Sequence, residues 1–235
     1  MSKKLWEASL KQKKNSLLYK YEQFISKKFN KNFNHNYEDI LCWSIKDTEN
    51  FWSSIWDFSK VKGFKSKKKL KKSHIFYKNI FLPKSKLNFA ENLLSKNNKD
   101  KAITFISENG FREERNWLQL NENVSKIYKF LKKIKIKEKD RVAAYLPNSI
   151  ETVEAFLGAT SLGATWSSCS PDFGAKGVIE RFSQIGPKVL FIIDKYIYNG
   201  KVINVIERLP EIIKEVRSIK KDLKDMDWLY EIEDI

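Results

Sequence analysis

Between Asp140 and Ile193 the apolar residues follow two alternating rhythms: short solid runs, and stretches in which they recur three and four positions apart. The solid runs at 141–146, 164–169 and 188–193 predict buried strands. Residues 150–162, with Ser149 placed to cap them, and Ala175–Ile185 carry helical spacing. Helices of this length between short apolar strands predict a mostly parallel sheet with right-handed crossovers. Ligands of such open α/β sheets lie at the carboxyl ends of the strands.

The flanking segments read less regularly. Residues 88–94 predict a short helix, and 101–107 a strand that turns at Glu108-Asn109-Gly110 and returns antiparallel over 111–116. From Trp117 a helix follows, with Val124, Ile127, Tyr128, Leu131 and Ile134 on one face. Residues 202–219 carry helical spacing, and the acidic tail 222–235 reads as an unfinished element. Upstream, residues 1–36 form a lead-in with one helix at 16–29, its face made by Leu17, Tyr21, Phe24 and Ile25. Asp47 or Thr48 is placed to cap a further helix, whose stripe of Phe51, Trp52, Ile55, Trp56 and Phe58 predicts a packing face. The lysine-rich run 60–72 is expected to be a mobile, solvated loop.

Composition changes this picture little. Hydrophobic residues make up 42% of the 235 positions, enough to build a core and to exclude wholesale disorder. The formal net charge of +16 raises nucleic acid or an anionic membrane as partners. Lysine supplies most of it, and no arginine precedes Arg112. Base readout and bidentate phosphate gripping favour arginine forks, so the charge is read as a solvated surface with no specific nucleic-acid partner. Cys42 and Cys169 form no CxxC pair, and His35 and His74 lack metal-ligand spacing. No metal site is expected. The charge-dense start is unlike a secretory leader, and no run of about 18 apolar residues occurs. The expectation is a cytoplasmic protein with no membrane partner.

The chain has no GxxxxGK[ST], no GxGxxG after a strand and no GxSxG. One candidate site stands out, the turn Ser170-Pro171-Asp172-Phe173-Gly174 after the strand ending at Cys169. Proline stops the strand, Asp172 is placed to cap the next helix, and Gly174 tolerates close backbone approach. Two readings stay open on these grounds, a purely structural βα turn and a ligand site at a strand's carboxyl end.

Several blocks, in order, resemble one enzyme family. LNFAENLL (87–94), DRVAAYLPN (140–148), FLGATSLGATWSSCSPDFG (156–174) and RFSQIGPKVLF (181–191) are similar to acetoacetyl-CoA synthetases, within the acyl-adenylate-forming, AMP-binding enzymes. WSSCSPDFG is the most discriminating block. YEDILCWSIKDTENFWSSIWDF (37–58) resembles the helical cap that begins those enzymes and the acetyl-CoA synthetases.

The resemblance implies a helical N-terminal cap at 1–86 and the first part of the AMP-binding α/β domain at 87–235. It implies an acid–thiol ligase that activates acetoacetate with ATP and Mg²⁺ to an acyl-adenylate and passes the acyl group to CoA. In that family the phosphate loop ends in Pro-Lys, and a catalytic lysine sits on a small C-terminal domain. No TSGTTGxPK-like run occurs here, so this piece alone is expected to be inactive. The alternative is a non-catalytic remnant or subunit that binds CoA or a partner chain. No catalytic residue is assigned. Ser170, Pro171 and Asp172 correspond to a turn that lies against CoA in acetyl-CoA synthetases. Tyr198-Asn199-Gly200-Lys201 stands where an Arg-x-Gly-Arg stretch meets CoA's nucleotide phosphates, so Lys201 is the remaining cation. A chain ending at Ile235 is expected to leave apolar surface uncovered and to self-associate.

Overall fold

The computed structural model describes residues 5–219. Two compact units divide between Leu87 and Asn88. The predicted tail at 222–235 lies outside the described residues.

The first unit is helical at its start: α1 (Leu10–Asn15), α2 (Leu17–Phe29), α3 (Tyr37–Lys46) and α4 (Thr48–Phe58). Ser16 caps α2 by accepting from the Tyr19 amide at 3.1 Å, so the helix begins where its sequence signal stands. Tyr21, Ile25, Phe33, Ile40 and Trp43 form its buried cluster, and Phe51, Ile55 and Phe58 of the predicted stripe pack on it. Trp52 leaves that face and leans on Phe81, ring centroids 5.6 Å apart. The lysine run is not a free loop. Phe64 bridges to Lys86, Lys65 Nζ donates to the Ser53 carbonyl at 2.8 Å and to Asp57, and Leu70–Lys71 (β1) pairs antiparallel with Ile80–Phe81 (β2). Backbone pairing and the half-buried Asp57 carboxylate outweigh the repulsion among its lysines.

The second unit opens with α5 (Phe89–Leu93), whose cap Asn88 also donates to the Thr160 carbonyl at 2.9 Å. The strands β3 (Lys101–Ile106) and β4 (Arg112–Asn116) form the expected hairpin. At its turn only Gly110 takes positive φ, +82°, while the Asn109 side chain accepts from the Phe111 amide. Asn116 and Gln119 make a reciprocal capping box that starts α6 (Trp117–Lys133). Then come β5 (Arg141–Tyr145), α7 (Ile150–Ser161), β6 (Thr165–Cys169), α8 (Ala175–Ile185) and β7 (Val189–Ile192). The parallel sheet has the order β6-β5-β7, with Val142 facing both Trp166 and Val189 in register. This is the α/β arrangement that the alternating rhythms predict.

The central strand decides which face each helix takes. Val142, Ala143, Ala144 and Tyr145 are all fully buried, because β5 has a strand on each side and helices above and below. Val142 and Ala144 join Ala155 and Ala159 of α7, whereas Ala143 and Tyr145 join Val178 and Phe182 of α8. The loops leaving neighbouring β5 and β6 therefore part to opposite faces. Ligands of open α/β sheets lie outside the carboxyl ends of the strands, where both of these loops begin.

One buried carboxylate belongs to the packing. Glu154 of α7 accepts from Asn123 Nδ2 at 2.9 Å and lies 3.4 Å from Arg115 Nε, so it ties β4, α6 and α7 together. Burial pushes its carboxyl above the ordinary range, against the pull of Asn123 and Arg115.

Beyond β7 the sequence reading needs correction. In place of a helix over 202–219 the chain forms an antiparallel hairpin, β8 (Lys195–Tyr198) and β9 (Lys201–Asn204). A 3-10 turn at Ile206–Arg208 and the short α9 (Leu209–Glu215) follow. Asn199 and Gly200 take φ of 50° and 70°, the backbone a two-residue turn needs between twisted strands.

Gly158 lets α6 and α7 touch. A Cβ there would stand 2.5 Å from Ile127 Cγ2 and 2.8 Å from its Cβ, and a branched side chain gives way poorly. Alanine gains about 1 kcal/mol of helix propensity, but overpacking a core contact costs about 1–3 kcal/mol. Gly158→Ala is therefore expected to lose about 1 kcal/mol of stability in urea unfolding. An unchanged or higher midpoint would show that the two helices are not tightly apposed.

Candidate functional site

The turn after β6 is built by burial on one side and hydroxyl bonding on the other. Pro171 is fully buried, while Ser170 and Asp172 are exposed. Ser170 Oγ donates to Asp172 Oδ2 at 2.7 Å, and Tyr196 Oη of β8 donates to Asp172 Oδ1 at 2.6 Å. The Asp172 carboxylate thus has a hydroxyl on each oxygen. It does not cap α8: the N-cap is Gly174, with no side-chain bond to the helix. Two hydroxyls at the turn compete successfully with the amides of the first helical turn.

The carbonyls of the turn are bonded by Tyr145 and Arg208. Tyr145 closes β5 with its hydroxyl inside the protein, where an unpaired polar group is costly. The hydroxyl donates to the Pro171 carbonyl at 3.2 Å and to the Phe173 carbonyl. Arg208 Nη1 reaches the same two carbonyls at 2.9 and 3.0 Å, and donates to the Tyr145 hydroxyl as well. Phe173 lies under the Arg181 guanidinium, 4.1 Å from ring centroid to Cζ. Cys169, at the foot of the turn, is a poor nucleophile. Burial raises its thiol pKa, and the Arg181 charge only partly opposes this.

The four residues singled out from sequence do not form one cluster of side chains. Ser170 and Asp172 bond each other, Pro171 anchors the turn, and Lys201 begins β9 with its side chain exposed and bonded to no described residue. Tyr196, on the neighbouring strand of the same hairpin, is the link between that hairpin and the turn. The hairpin tip already holds a carboxylate. Glu108 accepts from the Asn199 amide at 2.9 Å and from the Gly200 amide at 2.8 Å. Sequence reading missed Tyr145, Tyr196, Arg208 and Glu108. Asn-Gly between apolar alternations was a readable hairpin signal, but nothing local pairs Arg208 with Pro171. Among the described residues no three His, Cys, Asp or Glu converge as a metal-holding group, and no helix is long and apolar enough to cross a membrane.

The Tyr196 bond and then the Ser170 bond hold the Asp172 carboxyl below the usual aspartate range. Burial first, and then the bond to Asp172, push the Tyr196 phenol up to about 12. The charged carboxylate is the bonded form. Its contribution is therefore complete above the unfolded aspartate value of about 3.9 and is lost as pH falls through the lower folded value. Tyr196→Phe is expected to raise the Asp172 midpoint, followed by its carboxyl ¹³C shift against pH. A midpoint that stays put would remove Tyr196 as the anchor.

Comparison with known proteins agrees with this architecture. Residues 91–233 match the model of a family described as AMP-binding enzyme. Acetoacetyl-CoA synthetase of Macaca fascicularis is 36% identical over 190 residues, which are 79% of this chain and 28% of that protein. The acetoacetyl-coenzyme A synthetase of Rhizobium meliloti (strain 1021) is 35% identical over 219 residues, 93% of this chain and 32% of its own length. A malonamoyl-CoA synthetase of Penicillium aethiopicum is 32% identical over 224 residues, covering 92% and 31% of the two chains. The chain thus spans about a third or less of the length of these curated relatives. The solved structure of an acetoacetyl-CoA synthetase from Streptomyces lividans superposes with a TM-score of 0.86 at 24% identity, over 93% of this chain and 34% of that one, a likeness of fold. With well over half of its sequence matched to that family's model, the chain belongs to the AMP-binding enzymes.

Proposed function

We propose that this chain is part of an acetoacetate–CoA ligase, with residues 1–86 as a helical cap and 87–235 as the first part of the AMP-binding domain. The observation that carries the reading is the 36% identity to an acetoacetyl-CoA synthetase over 79% of the chain. The Ser170–Gly174 turn, which lies in the matched region at the parting of the loops after β5 and β6, supports it. A cytoplasmic setting belongs to the same proposal.

The chemistry has two steps. A carboxylate is a weak electrophile, so acetoacetate attacks the α-phosphorus of ATP, pyrophosphate leaves, and an acyl-adenylate forms. The CoA thiolate then attacks the acyl carbon and AMP leaves. Mg²⁺ would neutralise phosphate charge in the first step. The described residues offer it no ligand group, and the proposal assigns it none. The role proposed for this chain is on the CoA side. Ser170 and Asp172 form the exposed wall for the pantetheine arm, buried Pro171 fixes the turn that carries them, and Lys201 supplies a point charge toward the nucleotide phosphates.

The test is product formation by the protein as its cell makes it. Acetoacetyl-CoA, AMP and pyrophosphate are expected in equal amounts from acetoacetate, ATP and CoA. AMP release indifferent to acetoacetate would sink the substrate assignment. For the site, CoA added to this chain is expected to slow amide hydrogen exchange across 170–174. Lys201→Ala is expected to weaken CoA by roughly 2- to 5-fold, as befits one exposed charge, with the loss shrinking as salt rises. Unaltered exchange at the turn would remove it from the CoA site.

A further inference from the structure

The bonding of Arg208 is one-sided. All three of its hydrogen bonds leave from Nη1, toward the Pro171 and Phe173 carbonyls and the Tyr145 hydroxyl. Nε and Nη2 bond no described residue, and they are not sealed inside the protein, since the Trp43 indole N–H is the buried polar atom left without a partner among the described residues. In a guanidinium these two nitrogens form the side-on edge, whose parallel N–H bonds match two oxygens of a phosphate or carboxylate.

No carboxylate among the described residues pairs with this cation. Asp172 is at the same turn, yet its two oxygens are taken by Ser170 and Tyr196. The neighbouring Glu207 accepts from Asn204 Nδ2 at 3.1 Å. A half-buried guanidinium among neutral oxygens gives up hydration without gaining a counter-charge. A turn needing only to be stapled could use a neutral donor, because both carbonyls and the Tyr145 hydroxyl are uncharged. The fixed Nη1 corner also removes most of the side-chain freedom that an anion would otherwise have to freeze.

We propose that Arg208 is an anion-binding residue: pinned through Nη1 to the Pro171 and Phe173 carbonyls, it presents its Nε and Nη2 edge to a phosphate group of a ligand lying against the Ser170–Gly174 turn. It rests on the reading of that turn as a CoA contact. It supplies the arginine fork that Tyr198 does not, from a position no spacing rule connects to the turn.

The experiment is calorimetric titration of the chain at low salt, with CoA and separately with inorganic pyrophosphate. Arg208→Gln keeps an amide donor for the turn and removes the charge and fork. Arg208→Lys keeps a charge and a donor but loses the fork. The glutamine variant is expected to bind both anions about ten-fold more weakly, and the lysine variant to fall between it and the unaltered chain. A lower melting temperature with unaltered anion affinity would make Arg208 a structural staple and overturn the proposal. Should the glutamine variant fail to fold, the lysine variant decides: full affinity for both anions overturns the proposal, and a several-fold loss upholds it. Arg208-dependent pyrophosphate binding without CoA binding would keep the anion role and discard the CoA reading. Binding of neither anion by the unaltered chain would end the proposal.

Discussion

A tyrosine hydroxyl with nowhere to go but inward organises the candidate site. β5 is sealed on both faces and both edges, and its last residue, Tyr145, ends inside the core with an oxygen that must be hydrogen-bonded. The partners within reach are the carbonyls of the next loop, at Pro171 and Phe173. Those carbonyls have a second lone pair each, which Arg208 Nη1, itself bonded to the hydroxyl, takes. The backbone of the turn is thereby held by two donors, and its polar residues Ser170 and Asp172 are left exposed. A chain segment that would otherwise be an ordinary βα loop becomes a rigid surface at the carboxyl end of the sheet.

The paths of the loops around the turn follow from the alternation of side chains along β5. Odd and even residues need cover on opposite faces, so α7 and α8 cannot both lie on one side of the sheet. With β6 and β7 flanking β5, the loops after β5 and β6 must diverge. Site position is in this sense a by-product of core burial, and it would exist whatever residues occupied the turn. The residues at the turn decide only what kind of ligand it can hold.

The formal charge of +16 has little to do with the site. Two lysines of the basic run serve the first unit: Lys65 shares the Asp57 carboxylate with Lys28 of α2, and Lys69 bonds Asn50. Near the turn the electrostatics rest on few groups: Asp172 held by two hydroxyls, Arg181 stacked on Phe173, and Arg208. At the hairpin tip the backbone amides of Asn199 and Gly200 are engaged by Glu108, so the nearby lysine stands without their help in attracting an anion.

By itself the sequence determined the periodic parts. The strands at β5, β6 and β7, the helices between them, the β3–β4 hairpin and the Ser149-capped start of α7 were legible, because spacing and caps act over a few neighbouring residues. It also carried the wording of the AMP-binding family. The β8–β9 hairpin was legible too, from Asn199-Gly200, but helical spacing across 202–219 and the family's Arg-x-Gly-Arg stretch drew the reading elsewhere. Only the tertiary structure decided that Asp172 turns to Tyr196 instead of capping α8, that Glu108 fills the hairpin tip, and that Arg208 bonds the Pro171 carbonyl. Each is a bond between residues from 24 to 92 positions apart. Local propensity carries no information at that range. Such pairs are chosen when folding brings particular donors and acceptors face to face, and for the half-buried Arg208–Pro171 bond the shielding from water adds to the choice.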